Sequence, residues 1–135
     1  MEAHRLKSMV LSAAFAAMIS SGVVSLLWLE TVELSETARN SDMYGLGHVL
    51  VVFCVICMAM ATTTIFLNKL AVVRNNLLLS LLSFFLAPLL VALCFGMTVF
   101  DKQEIDLFFV MVASFGLPMA FYFARYRKML DGQEA

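Results

Sequence analysis

Four stretches without a charged residue, at 8–29, 44–68, 77–100 and 107–124, alternate with short segments that hold the charges of the chain. Each is close to the ~20 residues that cross ~30 Å of hydrocarbon at ~1.5 Å per residue. In lipid the backbone must satisfy its own N–H and C=O groups, and an apolar run of this length does so as a helix. The pattern predicts four transmembrane helices at about 8–29, 46–67, 77–99 and 106–125. The links "NKLAVVRNN" and "DKQEI" are too short to hold a folded unit and favour antiparallel neighbours. The expected fold class is therefore an all-α integral membrane protein. It forms a single domain over residues 1–135, a four-helix transmembrane bundle in up-down-up-down order.

Positive charge sets the orientation. Arg5, Lys7, Lys69, Arg74, Arg125, Arg127 and Lys128 fall on one side of these helices, and Arg39 and Lys102 on the other. By the positive-inside rule both termini are cytoplasmic, N-in/C-in. Trp28 and Tyr44 at the outer boundary, with Tyr122 and Tyr126 at the inner, suit aromatic belts. The opening "MEAHRLK" before an apolar run resembles a secretory signal, whose apolar region is only ~7–15 residues. The longer run here is expected to stay as a signal anchor, the first helix.

Composition agrees with the pattern. Hydrophobic residues make up 62% of the chain and charged ones 14%, against roughly 45–50% and about 25% in soluble domains. No nucleic-acid partner is expected of a chain with a net charge of −1 and no nucleic-acid-binding motif. The lipid bilayer is the first partner, and a bacterial cytoplasmic (inner) membrane the expected location.

Chemistry is harder to find. The segment "FCVICMAMATTT" carries a Cys-x-x-Cys pair, Cys54 and Cys57, near the expected bilayer midplane. A reactive thiol needs a positive neighbour to favour thiolate, and none lies within two turns of Cys57. Three thiols in the membrane also fall short of the four ligands of a structural zinc site. Cys54, Cys57, Ala61 and Thr64 instead follow helical spacing, as do Ala13, Ala17, Ser21 and Ser25 in the first helix. Ser80, Ser83 and Ala87 do so in the third, and Ala113, Gly116 and Ala120 in the fourth. Small residues let membrane helices approach closely, so all four stripes, and Cys94, are expected at helix-packing positions.

The tetrapeptide resembles one in vitamin K epoxide reductase-type bundles, where loop cysteines serve the pair. The outer loop "ETVELSETARNSDMYG" has no cysteine, which excludes that reading. In size the chain is similar to small multidrug exporters, but the glutamate those carry within the first helix is missing. Ionisable groups inside a membrane usually mark proton or ion coupling, and none lies at depth here. His48, at the outer boundary, reads as an interfacial histidine. No catalytic, cofactor-binding or metal-binding residue is expected, and the chain is not expected to be an enzyme.

Local signals refine the elements. Asn76 is placed to cap the third helix, and Asp101 with Glu104 is spaced like a capping box for the fourth. Pro88 and Pro118 each remove a backbone hydrogen bond and should kink their helices, with the Ser114 hydroxyl placed to compensate near Pro118. The "ATTT" hydroxyls are expected to bond back to their own helix.

Outside the membrane the acids dominate: Glu30, Glu33, Glu36, Asp42, Asp101, Glu104 and Asp106. Glu30, Glu33 and Glu36 recur every three residues, as if the first helix ran on with one acidic face. This cluster exceeds what capping needs and is the expected partner-binding surface. The function expected is a non-catalytic membrane protein acting by protein-protein binding, as accessory, assembly or toxin-immunity subunits do. The partner is another protein, basic in character, or a second copy of the chain. The alternative is a homo-oligomeric channel or exporter for a small solute.

Overall fold

A computed structural model describes residues 2–33, 45–98 and 105–134, and every element within them is helical. Helix α1 spans Glu2–Trp28 and continues as a wider π-helical turn over Leu29–Glu33. Helix α2 spans Leu46–Ala61 and tightens into a 3-10 helix over Thr62–Lys69. A short helix α3, Ala71–Asn75, precedes α4, Leu77–Thr98, and α5, Ile105–Glu134. Among the described residues four segments are long and apolar enough to cross a membrane: His4–Thr31, Leu46–Lys69, Leu77–Thr98 and Ile105–Gly132.

The 3-10 extension completes the second span. The 16 α-helical residues of α2 reach about 24 Å, short of the ~30 Å hydrocarbon layer. Eight further residues at about 2.0 Å rise add about 16 Å. Three consecutive threonines start the change of winding. Thr62 Oγ1 donates to the Ala59 carbonyl (2.6 Å) and Thr64 Oγ1 to that of Ala61 (3.1 Å), both three residues back. In a 3-10 helix residues three apart eclipse, so Thr62, Ile65 and Asn68 form one row. Those are the three buried residues of the segment. The chain then turns at Leu70 and Asn76, both extended. Asn76 Oδ1 caps α4 by accepting from the N–H of Leu78 (2.9 Å) and, more distantly, of Leu79 (3.4 Å).

Each long helix has two neighbours: α1 packs on α2 and α5, and α4 packs on the same two. The α1 stripe Ala13, Ala17, Ser21 and Ser25 is almost wholly buried, which lets α5 come close enough for side chains to reach its backbone. Ser21 Oγ donates to the Met111 carbonyl (2.9 Å) and Ser20 Oγ to the Ser114 carbonyl (3.0 Å). The second bond has a specific cause. Pro118 has no N–H to offer the carbonyl four residues earlier, and the α1 hydroxyl takes its place. The Ser114 hydroxyl itself bonds back to Val110 and Met111, so relief near Pro118 comes from the neighbouring helix.

The remaining stripes divide. Cys54 is fully buried beside Val51, Val55 and Met58, whereas Cys57 and Ala61 sit half-buried on the flank. Ser80 and Ser83 are buried and Ala87 is half-buried. In α5 the inward row is Leu107, Met111, Ser114, Phe115 and Met119. The stripe read from the sequence lies elsewhere: Ala113 and Ala120 are exposed, and a Cβ added at Gly116 would meet nothing within 4 Å. Bulk explains this difference, because the interior between α1, α4 and α5 is filled by Phe and Met. Cys94 is likewise exposed. Tyr126, read as a belt residue, is buried with its ring 5.7 Å from that of Phe84, which also meets Phe123 at 5.1 Å.

The outer surface is apolar along all four spans, with Leu11, Leu117, Leu78 and Phe53 more than half exposed. A soluble monomer rarely exposes contiguous apolar area of that extent. It is the surface of a membrane-spanning protein.

Candidate functional site

A cluster of buried polar side chains lies where the 3-10 extension crosses α4. Asn68 Nδ2 donates to the Ile65 carbonyl (3.1 Å) and to Ser83 Oγ (2.5 Å), and Asn68 Oδ1 accepts from Ser80 Oγ (2.7 Å). Ser83 Oγ donates onward to the Ser80 carbonyl (2.7 Å), and Thr64 Oγ1 reaches across to the Ser83 carbonyl (2.7 Å). Asn68, Ser80 and Ser83 are all buried. The network closes on itself, as a buried polar cluster must where no water competes. Its role is to lock two segments together.

Directly at this seam a cavity of about 490 Å³ opens at the end of the bundle, within the size range of small-ligand sites. Asn68 and Tyr126 form its buried floor, and Leu6, Met9, Met129 and Leu130 its apolar wall. The rim carries Arg5 from α1, Lys69 from the 3-10 extension, Arg74 from α3 and Lys128 from α5. A side-chain hydrogen bond braces the rim: Arg127 Nη1 donates to the Arg74 carbonyl (3.1 Å), tying α5 to α3. The Lys69 ammonium stands 5.0 Å over the Phe66 ring. In the sequence these cations give only orientation signals, and Asn68 only the start of a link.

The opposite end is built around Glu30 and His48. Glu30 Oε1 and His48 Nε2 lie 2.6 Å apart, joining the π-helical turn after α1 to the first turn of α2. His48 is thus bound to a protein carboxylate rather than standing alone at the boundary. The Glu30–Glu33–Glu36 face assumed an α-helix, but the backbone over Leu29–Glu33 is π-helical. Asp106 is exposed in the first turn of α5. The side chain of Glu33, and Glu36, Asp42, Asp101 and Glu104 with its capping box, lie outside the described residues.

Cys54 and Cys57 are free thiols. Among the described residues no three His, Cys, Asp or Glu side chains group to hold a metal ion. Comparison with protein-family models, curated proteins and solved structures gives no match to this chain.

Proposed function

We propose that the chain is a non-catalytic polytopic membrane protein that acts by binding another protein, within the bilayer and at its acidic end. The arrangement proposed is an antiparallel up-down-up-down bundle with both termini in the cytoplasm of a bacterial-type cell. The observation that carries this reading is the outward stripe of α5. Ala113 and Ala120 are exposed and Gly116 between them is half-buried, with no described atom of another helix within 4 Å of a Cβ added there. Small residues on a lipid-facing surface offer another membrane helix a close approach. Ser20, Ser21, Asn68 and Ser80, by contrast, spend their side-chain hydrogen bonds on contacts between helices of the same chain. Asp106 continues the stripe's helix into the acidic end, where the excess of carboxylates over Arg39 and Lys102 favours a partner with basic loops.

The test is native purification of the wild type and of Gly116→Leu in mild detergent. Leucine at a lipid-facing site leaves the protein's own thermal stability unchanged within error, and stoichiometric recovery of a second polypeptide with wild type should be lost with the variant. Equal recovery with both removes the α5 stripe as the docking face. A clean homo-oligomer that conducts in liposomes replaces the subunit reading with the channel one.

A further inference from the structure

The basic cavity owes nothing to the α5 stripe or the acidic end, and its chemistry points to a different ligand. Its position is the first clue. Arg5 begins the span His4–Thr31, Lys69 ends Leu46–Lys69, and Lys128 lies in the last turns of Ile105–Gly132. Three spans thus end around one opening, which places it at the depth of lipid headgroups.

Charge is the second clue. Arg5, Lys69 and Lys128, from three separate segments, converge on the rim beside Arg74, and among the described residues no acid lines the cavity. Holding like charges together costs free energy unless an anion joins them. Neither Arg5, Lys69 nor Lys128 forms an ion pair with a described residue.

The third clue is the wall. Leu6, Met9, Met129 and Leu130 make much of the lining apolar. A small hydrated anion would leave that surface wet, whereas an amphiphile covers both parts at once. An acidic peptide would satisfy the cations but has no general use for an apolar wall at the membrane boundary. Basic pockets between membrane helices are a recurring way to hold anionic headgroups.

We infer that this cavity binds the phosphate of an anionic phospholipid. The phosphodiester sits among Arg5, Lys69, Arg74 and Lys128, and the first part of an acyl chain runs along Leu6, Met9 and Leu130. Site-bound lipid bridges the ends of α1, α3 and α5 and the 3-10 extension of α2, so it stabilises the bundle by mass action.

The full chain, purified in an uncharged detergent, is titrated with phosphatidylglycerol, phosphatidylcholine, glycerol 3-phosphate and a polyglutamate peptide. Native mass spectrometry counts bound molecules and melting temperature reports stabilisation. One phosphatidylglycerol per chain is expected to be retained and to raise the melting temperature, with phosphatidylcholine doing neither. Removing two cavity cations in K69Q/K128Q weakens binding by about 25-fold, at about fivefold per cation. The charge-matched K7Q/R125Q, whose residues are exposed and off the cavity, stays within about twofold of wild type. If K69Q/K128Q does not fold, K69Q alone should show the fivefold loss.

Equal weakening by the two double variants, or equal retention of the two lipids, overturns the assignment. Binding of glycerol 3-phosphate as tight as that of the lipid would make the cavity a soluble-phosphate site, and displacement of lipid by polyglutamate would make it a site for an acidic protein segment. Either result refutes lipid binding without touching the α5 docking face.

Discussion

Replacing Asn68 with alanine tests the seam that joins the 3-10 extension to α4. The substitution deletes two hydrogen bonds between segments, one to Ser83 Oγ and one from Ser80 Oγ, and a local one to the Ile65 carbonyl. Hydrogen bonds between helices in membranes average about 0.6 kcal/mol and reach about 1.7, so the two crossing bonds account for about 1.2 kcal/mol. Ser80, fully buried, would then hold an unmatched donor, which costs about 1–3 kcal/mol. That second cost is largely avoidable, because a serine in a helix can rotate to bond the carbonyl one turn back. For Ser80 that carbonyl belongs to Asn76. The expected loss for Asn68→Ala is therefore about 1–2 kcal/mol.

The pairwise contribution is separated by a double-mutant cycle with Ser80→Ala, for which a coupling of about 0.6–1.7 kcal/mol is expected. Reversible unfolding in mixed micelles of increasing SDS fraction suits the measurement, with Trp28, the single tryptophan, as reporter. A coupling within ~0.3 kcal/mol of zero, the usual additivity error, together with an Asn68→Ala loss below that error, would refute the argument. The network would then be a by-product of packing rather than a fastening.

Replacing Cys54, Cys57 and Cys94 together by alanine should leave the protein folded and functional. Cys54→Phe should cost about 1–3 kcal/mol by overpacking and Cys94→Phe almost nothing, because only the first is buried; equal losses in denaturant melts would contradict the burial pattern. Reporter fusions at Asp42 and at Gln133 should read opposite sides of the membrane, and the same side for both would overturn the proposed topology. Changing Glu30, Glu33 and Glu36 to Gln should lower stability by no more than about 1 kcal/mol, since the Glu30–His48 pair is partly exposed. The same variant should slow capture of a basic partner at low salt, and capture at the wild-type rate would place the docking surface elsewhere.

The four spans were legible because their cause is local. A backbone in hydrocarbon must bond to itself, so uninterrupted apolar length alone dictates a helix, and its ends fall where charges begin. The Asn76 cap and the threonine back-bonds were legible for the same reason, each being a contact within a few residues. The inward face of α5 was not. Small residues permit close approach but do not demand it, and α5 turns Met111, Phe115 and Met119 inward because the gap beside α1 and α4 has room for bulk. Asn68 stands fourteen residues after Cys54, about four helical turns, and so in phase with the buried face of its span. That signal was present, yet the residue's place before Lys69 reads equally well as the start of a link. Only the facing Ser80 and Ser83 decide that its amide can be buried. The basic cavity is more remote still: Arg5, Lys69, Arg74 and Lys128 become one site only when the ends of separate helices meet, and nothing in the local preference of any one of them specifies the other three.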